Sequence, residues 1–270
     1  MEGHVVSKDP VSPKWTIPPY NAPPVDEFCR PPGPLKLRPP RARSNSESNH
    51  AEKVSFRFRT RLITAAATKH SYIHPHVLLL QVLPSTTERL VRTVVGLLPS
   101  FLRAQFEAFF PEWSISSRLV LKRYKEGWDE EFDMEKVIYE RVKPLQGIVV
   151  PICYGELKYK GTRSLLLSDI GGENLATPEG SLAEPRDLRR MLHEAFSALS
   201  QFGIAHGDLK LDNFHIVGDK IFVLDLESVD ENLSDEDFAI RIKDDIKFLT
   251  RQYEANQDCF WEDGLVVLNT

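Results

Sequence analysis

Residues 206–213 read HGDLKLDN, and residues 223–228 read VLDLES. They bring His206, Asp208, Lys210, Asn213 and Asp225 close together along the chain. Folding alone does not call for that density of imidazole, carboxylate, amine and amide. An Asp in a loop can accept a hydroxyl proton or orient a nucleophile. A Lys two residues on can neutralise a phosphoryl group in transit. Phosphoryl transfer asks a protein for positioning and charge neutralisation rather than covalent chemistry.

Asn213 and Asp225 flank two short apolar runs joined by Gly218-Asp219. Such a pair between apolar runs signals a two-residue hairpin turn. The turn sets the register: Val217 faces Lys220, Phe214 faces Val223, and Asn213 faces Leu224. Asp225 follows at once, so Asn213 and Asp225 share the open end of the hairpin. An amide oxygen beside a carboxylate suits Mg2+, which takes one or two carboxylates and completes its shell with water and phosphate.

The elements that must hold these groups come earlier. Pro185 to Gly203 reads as a helix, with Leu188, Leu192, Ala195, Phe196 and Leu199 on one face and Gly203 as its C-terminal stop. DEEFDMEKVIYERVK reads as a helix ended by Pro144. FRFRTRL, HVLLLQVL, SRLVLKRYK, VVPICYGEL and TRSLLLSDI read as strands. Residues 88–113 are apolar without a decisive period. The fold expected is α+β, with a small β-rich part (53–168) followed by a mostly helical part (169–270). Residues 1–52 hold 11 of the 19 prolines and end in a Ser-rich basic stretch, which predicts a disordered tail. KLRPPRARS within it is a solvated linker or a docking or localisation signal.

The formal net charge of −5 argues against a nucleic-acid partner. No apolar run reaches membrane-span length, so no membrane is expected. Three Cys without metal-type spacing and an N-terminus without an apolar signal fit a cytoplasmic or nuclear protein. Cys153 reads as a small buried residue. Oligomeric state is left open.

HGDLKLDN resembles the catalytic loop of the eukaryotic-type protein kinase family, H-R-D-L-x-x-x-N. VLDLES resembles its D-F-G segment, and VLK at 120–122 its V-A-I-K strand. The resemblance spans roughly residues 115–250 and is strongest at 206–227. It implies a two-lobed kinase-like fold with a shortened C-lobe, and ATP and Mg2+ as cofactors. Asp208 would then be the catalytic base, and Lys210 would contact the γ-phosphate. Asn213 and Asp225 would hold magnesium. Lys122 would hold the α- and β-phosphates, with Val120 against the adenine. Glu135 would pair with Lys122. Helical phase puts Glu135 on the face of Ile138, Tyr139 and Val142, with Glu130, Glu131 and Glu140 as competitors. Ser168, Asp169, Gly171 and Gly172 would form the hinge beside the nucleotide.

Three departures stand out. Gly207 replaces the family's Arg, which implies no control by activation-segment phosphorylation. DLE replaces DFG. No glycine-rich phosphate loop is visible; PSTTE at 84–88 is a candidate substitute. The pattern resembles compact kinase-like proteins of fungi. IKDDIKFLTRQY reads as a closing helix, with Asp244 or Asp245 bracing the catalytic loop. The acids from Asp225 to Asp237 read as a solvated loop except for Asp225, with Glu227 a second candidate exception. His70, His74 and His76 read as a surface loop rather than a metal cluster. The leading expectation is a phosphotransferase acting on Ser or Thr hydroxyls. A catalytically weak binding module and a small-molecule kinase are the alternatives.

Overall fold

The computed structural model describes residues 33–38, 51–70 and 74–269, excepting the side chains of 107 and 108. It is an α+β fold. Within the stretch expected to be disordered, Leu35–Leu37 form strand β1. The rest of that expectation lies almost wholly outside the described residues.

Strands β2 (Glu52–Phe58), β3 (Arg61–Lys69) and β4 (Val77–Val82) open a six-stranded antiparallel sheet. Alternation puts Val54, Phe56 and Phe58 of β2, and Ile63, Ala65 and Ala67 of β3, into one core. FRFRTRL is therefore not one strand: the chain turns at Arg59 and Thr60, with Arg59 at φ +51°. The ambiguous 88–113 stretch forms helices α1 (Thr86–Gly96) and α2 (Ser100–Phe109). PSTTE starts α1: the Ser85 hydroxyl accepts the Glu88 N–H at 3.1 Å, an N-cap.

β5 (Arg118–Arg123) pairs with β4, putting Lys122 opposite Val77 and Val120 opposite Leu79. Helix α3 (Asp129–Arg141) buries Phe132, Glu135, Ile138 and Tyr139, while Glu130 and Glu140 are exposed. It ends at Arg141, and Pro144 sits in the 3-10 turn that follows. β6 (Cys153–Tyr159) and β7 (Thr162–Ser168) complete the sheet in the order β2-β3-β4-β5-β7-β6. Cys153 is half-buried, and burial pushes its thiol up to about 12.

Beyond Ser168, β8 (Glu173–Asn174) leads to α4 (Pro185–Ser200). The five apolar positions read from the α4 sequence are all buried. At its end the Gly203 N–H reaches the Ser200 carbonyl at 2.9 Å, and the Ile204 N–H reaches Leu199 at 3.3 Å. This is a Schellman stop with Gly203 at φ +69°. β9 (Ala205–His206) precedes the hairpin of β10 (Phe214–Val217) and β11 (Lys220–Val223). The hairpin has the register set by Gly218-Asp219: Phe214 faces Val223 and Val217 faces Lys220. β8 joins its β10 edge, and β12 (Val229–Asp230) pairs with β9.

The closing helix α5 (Asp235–Glu262) is longer than expected and opens with a Ser234/Asp237 capping box. Asp245 does not brace the catalytic loop. Its carboxylate accepts Arg241 Nε at 2.8 and 2.9 Å, and Arg241 also meets Asp230 at 3.2 Å. β13 (Val266–Leu268) pairs with β1.

Two buried apolar clusters fill the molecule. One lies on the sheet around Phe58, Ile63, Leu119 and Leu121. The other joins α3, β7, α4, the hairpin and α5 around Tyr139, Leu165, Leu192, Phe214 and Leu249. Among the described residues, no helix is long and apolar enough to cross a membrane.

Candidate functional site

A cleft lies between the sheet and the hairpin. Val120, Lys122, Glu135, Ser168, Asp169, Gly171, Asn213 and Asp225 all line it. Val77, Leu79, Leu167 and Leu224 give it an apolar floor that the sequence reading had not singled out.

Lys122 is at its centre. Its ammonium meets Glu135 at 2.7 Å and Glu227 at 3.2 Å, and it donates to Asp225. These partners come from α3 and from the segment after β11, so two distant stretches converge on a cation carried by β5. Oxygens of Glu135, Asp225 and Glu227 lie within 4.8 Å of one another. Lys122 is 8% exposed and Glu135 1%. Burial works against the Lys122 charge, but the three carboxylates outweigh it and raise its pKa. Burial also works against the Asp225 carboxylate, but Lys122 outweighs it and holds that pKa low. At Glu135 burial prevails and the pKa is raised. Glu227, at the position where DLE departs from DFG, also holds Lys125 at 2.8 Å.

The hairpin brings Asn213 beside Asp225. The Leu224 N–H donates to the Asn213 carbonyl at 2.8 Å, and Asp225 follows at φ +56°. The Asn213 amide donates to the Asp208 carbonyl at 2.9 Å, which leaves its side-chain oxygen available to a ligand. Asp208 and Lys210 are not part of the cleft wall. They lie one hydrogen bond beyond it, paired with each other at 2.8 Å.

His206 is 1% exposed and structural. Its Nε2 donates to the Leu224 carbonyl at 2.9 Å, and its Nδ1 accepts the Asp208 N–H at 3.2 Å. Burial lowers its pKa, in keeping with a neutral ring. It ties the loop to the residue before Asp225.

Two glycines acquire steric reasons. A Cβ at Gly207 would lie 2.6 Å from Ser228 Oγ, because β9 and β12 run side by side there. The glycine of HGD is thus a close-approach position. Gly172 corrects the expected hinge contact: it does not line the cleft. At φ +73°, its Cβ would lie 2.3 Å from the Ile216 carbonyl, so it packs on the hairpin. Gly171 does line the cleft, and its N–H donates to Asp169 at 2.8 Å.

The histidines add to the expectation of a surface loop, with His70 exposed. His70, His74 and His76 line the cleft with His215 and Asp212, none of which had been placed there. The segment between β3 and β4 carries His70, His74 and His76, and their distance in sequence from HGDLKLDN hid the connection. PSTTE is not part of the wall.

No model of a known protein family matches the chain, and a search of curated proteins finds no match.

Proposed function

We propose that this chain is an ATP- and Mg2+-dependent phosphotransferase with a two-lobed protein-kinase-like fold and a shortened C-lobe, acting on a Ser or Thr hydroxyl. One observation carries the reading. Lys122, Glu135 and Asp225, chosen from three separate motifs, meet as one ion cluster, with Lys122 and Glu135 buried, in a cleft that also receives Asn213.

Val120, Leu79 and Leu167 offer an apolar seat for a base, with the backbone from Ser168 to Gly171 at its edge. Lys122 holds the α- and β-phosphates, and Glu135 keeps the ammonium pointed inward. Asn213 and Asp225 fit Mg2+ by donor type, an amide oxygen and an ionised carboxylate. The ion supplies charge neutralisation at the phosphates. Asp208 orients the acceptor hydroxyl and receives its proton. Lys210 neutralises charge on the transferred group; its side chain is largely exposed and can swing from Asp208 to a substrate.

A second reading, a nucleotide-binding module with weak catalysis, is favoured by Glu227. It gives Lys122 one more carboxylate to leave before phosphate can be held. ATP turnover with Mg2+ in wild type, Asp208→Ala and Asp225→Ala separates the two. A transferase shows turnover that drops about 100-fold or more in both variants. Nucleotide binding without turnover favours the module. A wild type whose melting temperature ignores MgATP sinks both. A peptide array against a metabolite panel then tells a protein hydroxyl from a small-molecule one.

A further inference from the structure

A row of histidines follows one rim of the cleft. His70 comes directly after β3, and His76 directly precedes β4. The His70 N–H donates to the Val77 carbonyl at 3.1 Å, and the His76 carbonyl accepts the Arg123 N–H at 2.9 Å. Val77 pairs with Lys122, so His76 is one residue from the position opposite the cleft's central cation. The rings meet edge to face, His70 to His74 at 6.3 Å and His74 to His76 at 5.9 Å between centroids. His74 Nε2 stands 3.5 Å from Asp212 Oδ2. The row therefore reaches from the sheet to the turn that carries Asn213.

A rim beside phosphates must offer N–H donors or positive charge. Glycine-rich turns do this with backbone amides, but residues 70–76 contain no glycine. Imidazole offers an N–H donor when neutral, and a charge with two donors when protonated. We propose that His70, His74 and His76 form the polyphosphate-contacting rim of this cleft, and that His70 and His76 take up protons when a nucleoside triphosphate binds. The inference rests on the nucleotide reading above and adds which residues meet the phosphates.

The surroundings fix the sign. His70 faces His74, Asp169 and Asp212, with His215 across from it on β10, and burial lowers its pKa. His74 faces Asp212 and both neighbouring histidines. His76 faces Lys125, Lys122, His74 and Glu227, with Arg123 bonded to the Pro75 carbonyl beside it. Burial first, then the lysines, push His76 down to about 4. Without ligand, His76 is neutral at pH 7. An anion against the His70 and His76 rings favours their charged form, so the bound complex holds more protons than the free protein. Affinity then rises as pH falls.

The test is calorimetric titration of MgATP into the full chain at pH 6.5, in PIPES and in Bis-Tris, whose ionisation heats differ. Wild type should show net proton uptake and bind MgATP about 3–10-fold more tightly at pH 6.0 than at pH 7.5. The triple variant His70→Gln, His74→Gln, His76→Gln should lose most of the uptake and the pH dependence, while binding adenosine like wild type. Retained adenosine binding shows that the variant is folded, and the single variants His70→Gln and His76→Gln carry the test if it is not. Equal proton uptake in wild type and variants overturns the rim and leaves the nucleotide reading standing. A wild type that binds no MgATP overturns both.

Discussion

Helix α3 serves two charge clusters of opposite character. Its buried face sends Glu135 to Lys122, where four charged groups crowd into the cleft. Its exposed face sends Asp133 and Lys136 to Arg163 and Glu156 on the sheet, with Arg163 also over the Phe132 ring. Both clusters set opposite charges together, two cations with two carboxylates on the sheet but one ammonium with three carboxylates at the cleft. They differ in what it costs to assemble them. The exposed groups keep most of their water and gain little from pairing. Lys122 and Glu135 have lost that water, and an apolar pair of equal volume would stabilise the fold at least as well. A buried Lys among carboxylates is what the proposed phosphoryl transfer would need, and the exposed cluster is the control.

The contrast is most directly broken at Lys122. Lys122→Met should lower ATP turnover by about 100-fold or more and destabilise the protein by about 3–5 kcal/mol, because Glu135 is left buried without its cation. Urea denaturation beside a turnover assay reads both effects, and Lys122→Met with Glu135→Gln should recover much of the stability and none of the turnover. A single variant as stable as wild type would show that the cluster is not desolvated.

Gly207→Arg comes next. The side chain must displace Ser228 and the β9–β12 pair, at a cost of about 1–3 kcal/mol. A thermal melt checks it; an unchanged melt would mean that the loop yields freely.

The third test uses pH. Glu135 has a raised pKa, so it binds protons that the unfolded chain releases, and stability contributed by its neutral form is lost as pH rises above about 4.3. Asp225 has the opposite sign: held low by Lys122, it stabilises above about 3.9 and loses that contribution as pH falls through its folded value. Removing Lys122 should abolish the Asp225 contribution and steepen the Glu135 one. Lys122→Met should then lose stability between pH 5 and pH 8 relative to wild type, read by denaturation at both.

The smallest effect belongs to the control. Glu156→Gln should cost at most about 1 kcal/mol, and the difference from wild type should fade in 1 M salt. A larger or salt-insensitive loss would erase the distinction between the two clusters.

The parts of the site legible in sequence are those ruled by short-range geometry. Gly218-Asp219 determines the hairpin register, which places Asn213 beside Asp225. Helical phase picks out Glu135 from four candidate acids. The misread parts lack a local signal. Alternation in FRFRTRL runs on through the turn at Arg59, whose side chain gives no hint of a positive φ. Helices α1 and α2 expose Leu90, Val94, Leu97 and Phe101, so apolar residues occupy more than one face and the period blurs. Gly171 and Gly172 look alike in sequence, yet one borders the cleft and the other touches Ile216. The histidines at 70–76 were hidden because they meet residues 206–213 through a tertiary contact, His74 with Asp212, between stretches far apart in sequence.

The ladder of β1 with β13 bears on how the chain reaches this state. Leu35 and Leu268 are partners more than two hundred positions apart, and only three pairs join the strands. Closing so large a loop is entropically expensive, and three pairs return little, even with Leu35 and Val266 buried. This ladder should form after the sheet and α5 are in place and be among the first to part in native fluctuations. Its amides should exchange with solvent well ahead of those around Lys122, so the cleft can remain intact while the ladder opens.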